Sequence, residues 1–391
     1  MRRLFVIIGI VITSTAYSQT APPHLQFFGF ALVDVLWDDP HDAVATTNYI
    51  TEVDSFSNLA QLGIYTPTDN IITRVQLMNE LCVKPLLSIQ SIFFEYVDTI
   101  APSGVNYNLL ANYEDRWNTF KTINNTILNA EKIGAFYIAD EPTWTGITYD
   151  ELNAVCVLLQ ADFPDIPIMF VEAYTVLDSL IIPVDADWVG FDKYGIYNPD
   201  SDVDYLSDLA LLKSKRSNPA QKIIIIIDDQ WLPLYGWAGY APEDIEGMVQ
   251  NYYELASNDT AVIGLLGYLW AGGLDDPEQL GVRNLPQNVI DKNVEIGLMI
   301  KQNNPGCVNT IIHTTNFNET IQLFPNPAAH YITIQTQEYP QKISIYNVMG
   351  VLIYSEIIRS ATSISTSNFP AGTYFLCPES ISMSPITFII E

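Results

Sequence analysis

Asp140 and Glu141 stand side by side in the run Phe136-Tyr137-Ile138-Ala139-Asp140-Glu141-Pro142, where an apolar stretch stops and a proline begins. Two adjacent carboxyl groups at such a boundary suit acid–base work, because the charge of one helps the other keep its proton. Acidic residues also close other apolar runs: Asp34 and Asp38, Asp54, Glu95, Glu172, Asp192, Asp228 with Asp229, and Asp275 with Asp276. Cleavage of a glycosidic bond needs two carboxyl groups facing each other across it, one protonated and one ionised. The candidate catalytic residues are therefore Glu141, Asp229, Asp228, Asp140 and Asp192. Aromatic residues fall beside them, and Trp37, Trp144, Tyr194, Trp231, Tyr268 and Trp270 are the candidates for stacking on sugar rings; Tyr197 and Trp237 lie in the same stretches. Any one of these rings taken singly is what core or loop packing would also use. Their coincidence with the carboxylates is what points to sugar.

These residues need a scaffold that brings many strand ends together. From about residue 25 to 304, short β-rich runs alternate with longer helical stretches, the rhythm of repeated βα units around a parallel sheet. The expected strands are Leu25 to Val35, Tyr49 to Phe56, Lys84 to Phe94, Ala135 to Asp140, Ile166 to Glu172, Trp188 to Tyr194, Lys222 to Asp228 and Val262 to Trp270. Helices are expected over Asn70 to Val83, Tyr107 to Ile133, Tyr149 to Phe163, Val203 to Lys215, Pro242 to Ala256 and Val289 to Gln302. Eight strands favour an α/β fold of the (β/α)8 TIM-barrel type over a doubly wound sheet, and catalytic groups of such barrels gather at the C-terminal strand ends. No GxGxxG or Walker-type loop is present, so no nucleotide cofactor is expected.

Arg2 and Arg3, the apolar run Leu4 to Thr13 and the small residues up to Ser18 read as a secretory signal peptide over 1–18, with the barrel over 19–305. The formal net charge is -28, of which the last 71 residues carry four Glu against Lys342 and Arg359. An acidic barrel repels phosphate backbones, which argues against nucleic acid as a partner and suits solubility outside the cell. The cysteines, Cys82, Cys156, Cys307 and Cys377, have no metal-type spacing and permit one disulfide without assigning it. Histidine occurs only at 24, 41, 313 and 330, so a His-rich metal centre or a Ser/His/Asp triad is not expected. The loop Asp38-Asp39-Pro40-His41-Asp42 reads as an exposed acidic turn, with calcium binding as its alternative.

After Gln302 the pattern changes. Asn303-Asn304-Pro305-Gly306 breaks the last helix, 306–320 reads as a polar linker, and 321–391 alternates with period two as a small all-β sandwich domain. Leu323-Phe324-Pro325-Asn326-Pro327-Ala328, Ile343-Ser344-Ile345-Tyr346-Asn347-Val348-Met349-Gly350 and Phe369-Pro370-Ala371-Gly372-Thr373-Tyr374-Phe375-Leu376 resemble the type A C-terminal sorting domain of the type IX (Por) secretion system. That resemblance implies passage across the outer membrane on the type IX machinery, to the cell surface or beyond. Two residues depart from it: Glu391 stands where a basic residue usually ends the domain, and Cys377 is unusual.

The 136–142 run resembles the fourth-strand end of retaining (β/α)8 glycoside hydrolases, in which an Asn-Glu-Pro supplies the acid/base, so Glu141 would hold that role on a carbohydrate substrate. Asp140 replaces the asparagine, and Asp228-Asp229-Gln230-Trp231 stands where a seventh-strand glutamate nucleophile is usual. The shorter aspartate would need either a closer backbone or a wider carboxyl spacing, the latter favouring a water between them and inversion. An adjacent Asp-Glu pair also resembles substrate-assisted N-acetylhexosaminidases, where the Asp orients an acetamido group and the Glu protonates the leaving oxygen. Two other readings stay open: a barrel that binds glycan without cleaving it, and an Asp140-Glu141 pair that only caps the next helix.

Overall fold

The computed structural model describes residues 20–97, 101–307 and, toward the C-terminus, 322–328, 330–335, 341–347, 351–359, 362–367, 369–378 and 386–390. The expected signal peptide and most of the expected linker lie outside the described residues. Two compact units part between Val308 and Asn309.

In the first unit the elements run β1 (Phe27–Asp34), α1 (Ile50–Val53), β2 (Leu59–Gly63), α2 (Ile72–Glu80), β3 (Lys84–Ser88), α3 (Gln90–Phe93), β4 (Phe94–Val97), β5 (Asn106–Leu109), α4 (Tyr113–Asn124), β6 (Ala135–Asp140), α5 (Tyr149–Asp162), β7 (Ile168–Ala173), β8 (Trp188–Asp192), α6 (Val203–Lys215), β9 (Lys222–Asp228), β10 (Gln230–Trp231), α7 (Pro233–Trp237), α8 (Ile245–Ser257), β11 (Val262–Tyr268), β12 (Leu280–Gly281) and α9 (Gln287–Lys301). Eight of the strands close a parallel barrel in the order β1-β2-β3-β6-β7-β8-β9-β11, with β11 pairing back onto β1. This is the expected (β/α)8 architecture.

Period two sorts the strand residues into two cores. Along β9, Ile224 and Ile226 join Tyr137, Met169, Val171 and Leu266 inside the barrel, while Ile223, Ile225 and Ile227 face the helical layer. An isoleucine run is buried on both faces here because the sheet is covered on both. The helices start where their sequences say. Thr148 caps α5 in a capping box with Glu151, and the Asp202 carboxylate accepts from the Tyr205 N–H at 2.7 Å at the start of α6.

Three expectations are corrected. The strand expected over Lys84 to Phe94 ends at Ser88, and Gln90–Phe93 forms a helical turn with Ile92 and Phe93 buried. Tyr49–Phe56 is not a strand: Ile50–Val53 forms a helical turn whose Ile50 and Val53 are both buried, the i, i+3 pattern of a helix face. The second barrel strand is instead β2, only five residues long and interrupted by Gln61. Asp54 therefore precedes that strand and lies away from the mouth of the barrel. The expected long helix over Tyr107 to Ile133 is shortened to α4, because Asn106–Leu109 pairs antiparallel with Phe94–Val97 in a hairpin beside the mouth.

Cys82 and Cys307 form a disulfide, joining the start of β3 to the chain beyond α9 at the end of the barrel opposite the catalytic-type mouth. Cys156 is a buried free thiol on α5.

In the second unit, β13 (Gln322–Phe324), β14 (Tyr331–Gln335) and β17 (Thr362–Ser365) form one antiparallel sheet. A second holds β16 (Leu352–Ile358), β15 (Gln341–Asn347), β18 (Gly372–Pro378) and β19 (Ile386–Ile390). Ile332, Ile334 and Ile364 of the first sheet share one core with Ile343, Ile345, Tyr374, Leu376 and Phe388 of the second. That is the expected small sandwich.

Candidate active site

A cavity of about 980 Å³ opens at the C-terminal ends of the barrel strands. Asp140, Glu141, Asp192 and Asp275 face it, with Trp144, Tyr194 and Tyr268 as its large aromatic walls. Tyr194 and Tyr268 lie 5.3 Å apart, tilted by 31°.

Glu141 is held in an uncommon backbone conformation. Its φ is +47°, in the left-handed region that L side chains rarely enter, and its N–H donates to the Val171 carbonyl at 2.8 Å. Its own carbonyl accepts from the Thr145 N–H at 2.8 Å and the Thr145 hydroxyl at 2.9 Å. The register of β6 against β7 shifts between Tyr137 and Ala139, and such irregularities re-aim the residues that follow. Leu32, at a register shift in β1, also lines the cavity with φ +57°. Strain of this kind gathers where function needs a fixed side chain. The capping alternative for Asp140-Glu141 is excluded, since the cap of α5 is Thr148, seven residues beyond Glu141.

Burial raises the pKa of Glu141 far above the usual carboxylate range, and the charges of Asp192 and Asp140 add to the effect. Glu141 and Asp192 are hydrogen-bonded to each other, and burial raises Asp192 as well. Two carboxyls in contact in such a site resist ionising together, so burial and mutual repulsion raise the pair as a unit. Asp140 is open to the cavity. The Tyr137 hydroxyl donates to it at 2.6 Å and its N–H donates to the Gln90 side chain at 2.8 Å. The enclosing protein raises Asp140 too, with the Tyr137 hydrogen bond opposing.

Glu172 is fully buried and accepts from the Thr143 N–H at 3.0 Å and the Ala173 N–H at 3.2 Å, which pins the loop carrying Glu141 and Trp144. Its pKa is pushed up to about 7, chiefly by burial.

Asp228 and Asp229 do not face the cavity, and both are fully buried. Asp228 accepts from the Tyr235 hydroxyl at 2.6 Å, the Gly195 N–H at 2.6 Å and the Gln230 amide at 3.1 Å, so its lone pairs are occupied by the loops that cover it. Asp229 falls on the outward parity of β9 and takes the Asn293 amide of α9 at 3.2 Å. Burial pushes Asp229 up to about 8. Among the other acidic residues, Asp34 pairs with Arg74 at 2.8 Å and Glu95 lies on the β4–β5 hairpin. In the acidic turn, Asp39 and Asp42 both pair with Arg283, so a cation of the protein itself already sits among them. No metal-holding cluster occurs among the described residues.

Three of the expected sugar-binding aromatics also point elsewhere. Trp270 packs on Phe30 at 4.9 Å and donates to Glu52, Trp37 donates to the Gly272 carbonyl, and Trp231 to the Tyr240 carbonyl. The sequence reading passed over Gln61, Gln90 and Tyr137 as cavity residues. Strand parity was the available signal for Tyr137, which shares the inward face of β6 with Ala135.

No curated protein is a match for this sequence. Among solved structures, xylanase 10B from Thermotoga maritima is 12% identical with a TM-score of 0.44, covering 72% of this chain and 97% of that one. An Anoxybacillus alpha-amylase is 9% identical with a TM-score of 0.47, covering 88% and 96%. An FMN-binding beta-glucuronidase from Facaelibacterium prausnitzii L2-6 is 9% identical with a TM-score of 0.41, covering 96% of this chain and 57% of that one, little more than half its length. Such values carry no argument about substrate or mechanism. Residues 322–390 match the Secretion system C-terminal sorting domain, which indicates export by type IX secretion to the cell surface or the extracellular space.

Proposed function

We propose that the barrel is a glycoside hydrolase that cleaves an extracellular glycan, with Glu141 as the proton donor. The observation that carries this reading is Glu141 placed against Asp192 in a large strand-end cavity walled by Trp144, Tyr194 and Tyr268, where burial and the neighbouring carboxyls raise its pKa. A general acid must hold its proton at the working pH, and burial beside negative charge does that. Glu141 protonates the leaving oxygen, and Asp192 accepts its hydrogen bond beforehand. Asp228 and Asp229 are enclosed, which leaves the second role to Asp140 or Asp275, or to an acetamido group of the substrate. The same enclosure favours the other reading, a barrel that binds glycan without cleaving it.

The test is a panel of polysaccharides and activated aryl glycosides with wild type and Glu141→Gln. Loss of general-acid assistance lowers turnover of a natural glycan by about 10²- to 10⁴-fold, with a smaller loss on aryl glycosides, whose leaving groups need little protonation. Near wild-type rates for Glu141→Gln on the natural glycan refute the assignment. Binding of a glycan by wild type with no turnover of any panel member selects the binding barrel.

A further inference from the structure

We propose that the short helix α7 is a fixed platform at the cavity rim, and that Trp237 on it binds a further sugar of a long, uncharged polysaccharide chain whose reacting unit lies at Glu141. The inference rests on the glycan reading above and goes beyond it in naming the substrate's length and charge.

Trp237 is 87% exposed, a cost in water that tryptophan normally avoids by packing. It is neither remote from the cavity nor on a loose segment. Leu234, which lines the cavity and is half-exposed, stands three residues earlier on α7, and residues three apart on a helix share a face. The other side of α7 is anchored. Tyr235 is buried and its hydroxyl donates to Asp228 at 2.6 Å. At Gly236 a Cβ would lie 3.2 Å from the Trp231 ring, so the helix backbone rests directly on that indole. Trp231 in turn donates to the Tyr240 carbonyl beyond the helix, at 3.1 Å. The buried Asp228 and the Trp231 indole thereby acquire a role: they fix the helix that presents Leu234 and Trp237 outward. The apolar rim continues across the mouth in Leu274 and Val105, both exposed and both lining the cavity.

A flat apolar ring in water next to a sugar-sized cavity suits the C–H face of a pyranose. The charge of the ligand follows from the lining. Among the described residues that line the cavity there is no Lys, Arg or His, whereas Asp140, Asp192 and Asp275 supply negative charge. A uronic-acid polymer would find repulsion and no cation, so a neutral chain is selected.

Retardation in native gels containing mannan, laminarin, glycol chitin or polygalacturonate tests this with wild type, Trp237→Ala, Trp237→Phe and Glu141→Gln, each checked for an unchanged thermal midpoint. Wild type and Glu141→Gln are retarded by at least one of the three uncharged polymers and not by polygalacturonate. Trp237→Ala weakens that retardation about tenfold in apparent Kd, and Trp237→Phe restores most of it. Retardation that depends on Trp237 without any turnover leaves the platform standing and removes the hydrolase reading. The platform is refuted by no retardation in any uncharged gel, by retardation in polygalacturonate alone, by an unaltered Trp237→Ala, or by a dimer of wild type that Trp237→Ala converts to monomer.

Discussion

At the scale of single residues, the chemistry of the site reduces to which carboxyl keeps its proton. Asp192 tunes Glu141 in two ways: its charge makes ionisation of Glu141 costly, and its oxygen accepts the Glu141 proton in a hydrogen bond. Asp192→Asn keeps an acceptor but removes the charge, so the pKa of Glu141 falls toward the ordinary carboxylate range. Activity requires protonated Glu141, and the alkaline limb of the kcat/KM profile is expected to move toward acid by about one pH unit or more. An alkaline limb unchanged in Asp192→Asn would show that Asp192 does not govern the acid. Glu141 was legible in the sequence because an Asp-Glu-Pro at a strand end is a compact signal. Its partner was narrowed only to the acidic strand ends, because sequence order gives parity and position along a strand but not what covers a side chain. Asp228 shows the difference: it has the inward parity of Ile224 and Ile226, yet Tyr235, Gly195 and Gln230 close over it.

At the scale of elements, legibility followed the strength of the periodic signal. β9, with isoleucine at five consecutive positions, and α6, with an aspartate cap, fall where the pattern put them. β2 did not, since five residues that include Gln61 and Gly63 carry little apolar pattern, while the neighbouring Tyr49–Phe56 run carries more and spends it on a helical turn. The pairing of Cys82 with Cys307, 225 residues apart, was likewise invisible, because which cysteines meet depends on barrel closure. That bridge ties the chain beyond α9 to the base of β3 and closes a loop of 225 residues of the unfolded barrel chain. Replacing both cysteines with serine is expected to cost about 2–4 kcal/mol and to lower the barrel's thermal midpoint by roughly 5 °C or more. The mouth of the barrel is at the other end, so kcat on an aryl glycoside should not change. An unaltered midpoint in calorimetry of the double variant would mean that the bridge contributes nothing.

At the scale of the molecule, the same burial that holds a proton on Glu141 sets how the barrel responds to pH. Burial pushes the folded-state pKa of Asp192 and Glu172 up to about 7 and that of Asp229 up to about 8, and raises Asp140, Asp187 and Asp228 as well. In the unfolded chain such groups ionise near pH 4. Between those values the unfolded state has released protons that the folded state still holds, so stability falls as pH rises through this window, and Glu141, raised further still, carries the fall above pH 8. Asp42, Asp69 and Glu151 act in the opposite sense, with pKa values lowered by their hydrogen bonds, but they sit in more solvated positions where the effect is screened. The formal charge of -28 adds self-repulsion in the same direction as the buried acids. The barrel's thermal midpoint should therefore be highest near pH 4 to 5 and decline steadily toward pH 9. Asp229→Asn isolates one contribution, since an amide in that fully buried position cannot ionise and should flatten the decline between pH 5 and 8. The measurement is the thermal midpoint by circular dichroism at closely spaced pH values for both proteins. A midpoint that climbs between pH 5 and 9, or an Asp229→Asn profile parallel to wild type, would show that the buried carboxyls do not set the stability.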